Sequence, residues 1–134
     1  MVKDKLFLEN ISQFCLDKAK KLGTTNCEIV VGNSISETIT FRNKQIEQSE
    51  RSDNISIGLT TYIGEKKSNV SSSNVKEKDI STLIERCVEM TKITPKDPHS
   101  SMPKKSLLAT EDTFLDLFDE TKINNDHKIN FLKE

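Results

Sequence analysis

The side chains able to do chemistry are few and scattered along this chain of 134 residues. Its two histidines, His99 and His127, stand in Pro-rich and Asn-rich surroundings, and neither belongs to the HExxH spacing that sets two imidazoles on one helix face around a metal. Asp97 with His99, and Asp126 with His127, could be drawn as ligand pairs, but near neighbours on a loop usually point apart, and solvated surface groups account for them. A cysteine nucleophile needs a base in reach and a lowered pKa. Cys15 and Cys87 fall on apolar helical stripes and Cys27 on the inward side of a strand pattern, so all three read as small buried hydrophobes. Glu37 and Glu47 interrupt strand patterns, where a carboxylate pair or a hydrated or subunit-facing edge would each explain them. With four glycines and no GxGxxG, GxxxxGK[ST] or GxSxG, the usual phosphate cradles and nucleophile elbow are missing. No catalytic, cofactor-binding or metal-binding residue is assigned.

The elements that would position these groups follow from hydrophobic period. Leu8, Ile11, Cys15, Ala19 and Leu22 keep the spacing of one helix face, and Gly23 offers a left-handed C-cap behind a run of lysines. The period then falls to two. Residues 27–31 and 35–41 read as strands joined by Gly32, Asn33 and Ser34; residues 43–45 and 52–54 read as further breaks around a polar strand at 46–51. Ile55, Ile57, Leu59, Thr61 and Ile63 alternate with Ser56, Gly58, Thr60 and Tyr62, placing the first set inward and the second on a polar face. Gly64-Glu65 closes a hairpin into residues 66–73. From 77 to 93 the helical period returns through Ile80, Leu83, Ile84, Cys87, Val88 and Thr91, and Pro95 and Pro98 stop it.

This order predicts an α+β fold, a two-layer sandwich with two helices packed on one face of a mainly antiparallel sheet of four to five strands. Ile57, Leu59, Ile80, Leu83, Ile84 and Cys87 are the expected contact between sheet and second helix. Residues 94–113 read as an extended segment, draped over the sheet or leading away, with Leu107, Leu108 and Ala109 as a short apolar patch. Residues 114–118 supply another small anchor. A third helix, capped by Asn124 or Asn125, has too few turns to bury much by itself, so residues 122–134 should be frayed or ordered by docking through Ile129 and Leu132.

Composition narrows the function. Twenty Lys plus Arg against twenty-one Asp plus Glu give a net charge of −1, which offers no field for gathering nucleic acid or anionic lipid. No apolar run approaches the roughly 20 residues of a bilayer crossing. Three cysteines outside any CxxC pair suit a reducing compartment, and the first residues lack a long apolar stretch and a cleavage site, so a cytoplasmic protein is expected. From the residues alone, this is a binding or structural domain without a complete active site.

Four stretches taken together point further. Asn26-Cys-Glu-Ile-Val-Val31, Thr40-Phe-Arg-Asn-Lys-Gln-Ile-Glu47, Ile57-Gly-Leu-Thr-Thr-Tyr62 and Lys67-Ser-Asn-Val-Ser-Ser-Ser73 resemble, in order and spacing, the N-terminal domain of the PmbA/TldD proteins. Thr94-Pro-Lys-Asp-Pro98 and Leu115-Asp-Leu-Phe118 look more like the PmbA (TldE) branch. Ser68 departs from the pattern, standing where the family usually has glycine. The resemblance implies a system in which a heterodimeric zinc metalloprotease trims unfolded peptides, and a family also labelled modulator of DNA gyrase. It further implies that zinc is bound by the TldD-type partner and not by this chain, and that the chain corresponds to a noncatalytic N-terminal domain at 1–121 followed at 122–134 by the start of a linking helix. Such a domain would help enclose the site, form the heterodimer or position peptide. Its partners would be a TldD-like subunit, the C-terminal domain and unfolded peptides, with no direct nucleic acid and no membrane. A freestanding protein-interaction module without protease activity is the alternative.

Overall fold

In the computed structural model, described over residues 4–111, 115–117, 119, 121 and 123–133, the elements are α1 (Lys5–Lys21), β1 (Asn26–Arg42), β2 (Gln45–Ile63), β3 (Lys66–Ser72), α2 (Glu77–Ile93) and α3 (Asn125–Phe131), with a single 3-10 turn at Lys105–Leu107. Asp4 opens α1 by accepting the Phe7 N–H at 2.7 Å, four residues ahead of Leu8, the first apolar position recognised in the sequence. Gly23 ends it at φ +89°, a left-handed geometry that glycine enters without a Cβ clash. α2 spans the residues its period predicts.

The fold is α+β, and its sheet has three antiparallel strands among the described residues, in the order β1-β2-β3, where the sequence pattern predicted four to five. The difference is physical. Gly32, Asn33 and Ser34 form no loop, and residues 52–54 form no break: both stretches continue as strand. The Asn33 amide donates across the pair to the Asp53 carboxylate at 2.9 Å and the Asn54 carbonyl at 2.8 Å. Turn-forming side chains thus find their partners within a sheet, and two pairs of expected strands merge into two long ones. The true turns are two-residue. Asn43 and Lys44 both have positive φ, 50° and 60°, the signature of a type I′ hairpin, whereas Gly64 alone is positive at 59°, as a type II′ hairpin requires at its first central position.

The chain divides into two compact units. The first, Met1–Ile35 with Asp53–Pro103, holds the core. Ile11, Cys15 and Ala19 of α1, Ile57 and Leu59 of β2, and Ile80, Ile84, Cys87 and Val88 of α2 form one buried cluster, edged by Cys27, Ile29, Val31 and Val70, so both helices share a core with one face of the sheet. Leu83, expected at the centre, is only half-buried; Ile84, one position on, is fully buried. Leu83 lies at one margin of the predicted stripe, 100° from Ile84, and the sheet selects Ile80, Ile84, Cys87 and Val88. Tyr62 also departs from expectation: alternation puts it on the polar side, yet only 4% of it is exposed. Lys67, its cross-strand partner, sits 5.5 Å above its ring.

Two polar links tie this unit together. Thr61 Oγ1 lies 2.6 Å from Thr91 Oγ1, which donates to the Cys87 carbonyl at 2.8 Å, both hydroxyls being fully buried. Lys18 of α1 reaches Ser81 and the Glu85 carboxylate of α2, the latter at 2.6 Å. That lysine holds the Glu85 carboxyl below the usual range. The segment after α2 stays with the sheet: Thr94 Oγ1 meets Ser68 Oγ at 2.8 Å, and Asp97 N–H donates to the Glu65 carbonyl at 2.8 Å.

The second unit comprises Ser36–Ser52 and Lys104–Glu134. Asn124 caps α3 by accepting the His127 N–H at 2.8 Å. Leu107 and Leu108 are exposed, as are Leu115 and Leu117 of the expected anchor, whose Phe114 and Phe118 lie outside the described residues, as do Lys122 and Glu134 of the tail.

Candidate functional site

The chemistry-bearing side chains do not converge. Among the described residues no three of His, Cys, Asp or Glu form a group able to hold a metal ion. Asp97 and His99 do meet, through the backbone: the Asp97 carboxylate accepts the His99 N–H at 2.9 Å and the Ser100 hydroxyl at 2.9 Å. The His99 and Ser100 bonds, with the charge of Lys67, lower the Asp97 pKa, making the residue the lock of a turn. His127 uses its backbone N–H to cap α3. The described residues therefore do not fit a zinc site.

The thiols are unsuited to nucleophilic work. Burial pushes Cys15 and Cys27 up to about 11, Cys27 also feeling Cys15 and Cys87, and burial raises Cys87 as well. Glu37 and Glu47 form no carboxylate pair. Glu37 binds Lys128 and Arg51, which hold its carboxyl below the usual range, Lys128 more strongly; Glu47 binds Arg42 at 3.2 Å. Each acid finds a cation on the same unit. The Glu37–Lys128 link spans 91 positions and had no local signal in the sequence. Beside it, Ile39, Ile123, His127, Phe131 and Leu132 line an open apolar hollow of about 380 Å³.

What the first unit does present is an open strand edge. β3 pairs only with β2 among the described residues, in a register running from Ile63↔Lys66 to Ile57↔Ser72. A two-residue turn closes on a hydrogen-bonded pair, so Lys66, Ser68, Val70 and Ser72 turn their N–H and C=O toward β2. Lys67, Asn69 and Ser71 turn theirs outward. Their side chains are exposed, while those of the inward set are half-buried under α2. The strand contains no proline, and its register with β2 runs without a bulge. Ser68 keeps its place without strain, its hydroxyl bonded to Thr94.

An α+β unit of this order, with one helix before a three-stranded meander and one after it, defines the class of protein to which the chain is compared. A family model described as PmbA/TldA metallopeptidase domain 1 matches residues 27–91, the stretch from β1 through α2. Three curated relatives carry the same family name. The Metalloprotease PmbA homolog of Haemophilus influenzae is 26% identical over 89% of this chain and 26% of its own length; the Metalloprotease PmbA of Escherichia coli O157:H7 is 24% identical over 76% and 23%; the homolog of Buchnera aphidicola is 26% identical over 98% and 30%. A crystal structure from Bacteroides thetaiotaomicron, described as a modulator of DNA gyrase, superposes with a TM-score of 0.78 at 19% identity, covering 99% of this chain and 30% of that one. The family model and the curated relatives together support the N-terminal domain of the PmbA/TldD family. It spans less than a third of the length of these relatives.

Proposed function

We propose that this chain is the noncatalytic N-terminal domain of a PmbA/TldD-type metalloprotease system acting on unfolded peptides. Its part is to help enclose the site, to contribute to a heterodimer with a TldD-like subunit, or to position peptide; zinc would be held by that partner. The observation that carries the reading is the match of residues 27–91 to the first domain of the family's metallopeptidases, a stretch whose residues 27–35 and 53–91 share one unit with α1. The relatives' shared name, metalloprotease, supports peptide substrates. In the same proposal, residues 1–121 form the family domain, residues 122–134 begin a linking helix, and the protein works in the cytoplasm. Among the described residues no helix is long and apolar enough to cross a membrane.

The test has two arms. The purified chain, supplied with zinc and an unfolded casein-derived peptide, is expected to release no fragments; chelator-sensitive hydrolysis would overturn the noncatalytic role. Mixed with a TldD-type subunit from the same organism, it is expected to co-elute on size exclusion. Separate elution would remove the heterodimer role.

A further inference from the structure

We infer that the far part of the β1–β2 hairpin is the docking platform of α3, and that Arg51 is its positioning residue, holding the Glu37 carboxylate ready to clasp Lys128. This deepens the proposed function and rests on it for the role of α3 as the start of a linking helix. The hairpin then sets the direction in which the chain runs on.

α3 needs a platform. Its seven residues are too few for a helix that is stable by itself, and none of them is buried. Asn124 caps its first turn, and Asp126 and Lys128 suit the two poles of its dipole, but these devices act within the helix and do not fix its place. The apolar contact is partial. Phe131 is 72% exposed and Leu132 40%, although both line the hollow with Ile39 and Ile123.

The rest of the hold is ionic, and it is divided between two cations. Glu37 Oε1 takes Arg51 of β2, and Glu37 Oε2 takes Lys128 of α3. The Arg51 side chain is 58% exposed, against 26% for Glu37 and 28% for Lys128, so the contact that reaches α3 is the more sheltered one and is screened less. Arg51 bonds Glu37 and, among the described residues, no group of α3. Its planar fork orders the carboxylate from within the hairpin. Lys128 therefore meets an acceptor whose rotamer is already fixed, and less freedom is lost when α3 docks. Arg42 and Glu47 form the comparison on the same hairpin: an ion pair at 3.2 Å between two exposed side chains, with no bond to α3 among the described residues.

The experiment measures backbone order parameters by 15N relaxation on the 134-residue chain. In the parent, residues 125–131 should reach about 0.85, as a rigid backbone does; Glu37→Gln, Lys128→Met and Arg51→Met should each lower them below about 0.6. Hairpin residues 38–41 and the Ser68 and Val70 amides should keep their parent values in all three. Arg51→Lys, which retains a cation, should restore most of the order, and Arg42→Met should leave α3 as it is. In a Glu37→Gln background, adding Arg51→Met should loosen α3 no further, because Arg51 acts only through Glu37.

A parent α3 as mobile as that of Glu37→Gln overturns the inference. An additive effect of Arg51→Met in the Glu37→Gln background overturns the positioning role, and so does loosening of residues 38–41 by Arg51→Met, since α3 would then merely follow its platform. None of these results bears on hydrolysis or co-elution, so loss of the clasp would leave the proposed function standing.

Discussion

Ile84 is fully buried where α2 meets the sheet, within the cluster that joins it to Cys15, Ile57 and Leu59. Replacing it by alanine removes three carbons. At about 0.8 kcal/mol per buried methylene the transfer loss is about 2.5 kcal/mol, and the cavity left between two packed layers raises the cost to about 3–4 kcal/mol. Leu83, half-buried on the flank, should lose about half as much when truncated, and Lys92→Ala, whose amine pairs with Glu89 in solvent, should stay within about 0.5 kcal/mol of the parent. Urea unfolding followed by far-UV circular dichroism orders the three variants, with Ile84→Ala lowest in midpoint at unchanged slope. Equal midpoints for Ile84→Ala and Leu83→Ala would show that the helix is rotated from the orientation described. Equal midpoints for Ile84→Ala and Lys92→Ala would show that it does not pack on the sheet.

Three further outcomes follow from local geometry. Thr61→Val removes one of the two partners of the Thr91 hydroxyl, which keeps its bond to the Cys87 carbonyl, and should cost about 1–2 kcal/mol by thermal unfolding, with Thr61→Val/Thr91→Val costing less than the sum of the singles. Lys44→Gly relieves a left-handed lysine in the type I′ turn and should stabilise the hairpin by about 1 kcal/mol in the same assay; no change would mean that the lysine is unstrained there. Lys128 and Arg51 lower the Glu37 pKa below its unfolded value, so the carboxylate's contribution is present above the ordinary carboxylate range and is lost as pH falls through the folded pKa. The protection factors of the α3 amides, which discount the intrinsic pH dependence of exchange, should therefore fall on acidification, and Glu37→Gln should show that lowered protection already at neutral pH; pH-independent protection in the parent would refute the link.

The chain by itself determined what depends on short stretches. The α2 limits followed from a 3.6 period closed by Pro95, the end of α1 from Gly23, and both hairpin turns from Asn43-Lys44 and Gly64-Glu65, because these conformations are set by residues a few positions apart. The family, too, was legible in four short motifs, since the order of local motifs survives low overall identity. The same local rules misjudged residues 32–34 and 52–54, where turn propensity lost to cross-strand hydrogen bonds from Asn33.

Tertiary structure alone decided what depends on distant partners. It chose Ile84 over Leu83 as the buried position, since both lie on the apolar arc and only the sheet's placement separates them. It buried Tyr62 on the side that alternation assigned to polar contacts, and it brought Lys128 to Glu37 across 91 positions. The open β3 edge belongs to this second class. Which backbone groups face outward is fixed by pairing with β2, a relation between strands that no residue of β3 encodes on its own.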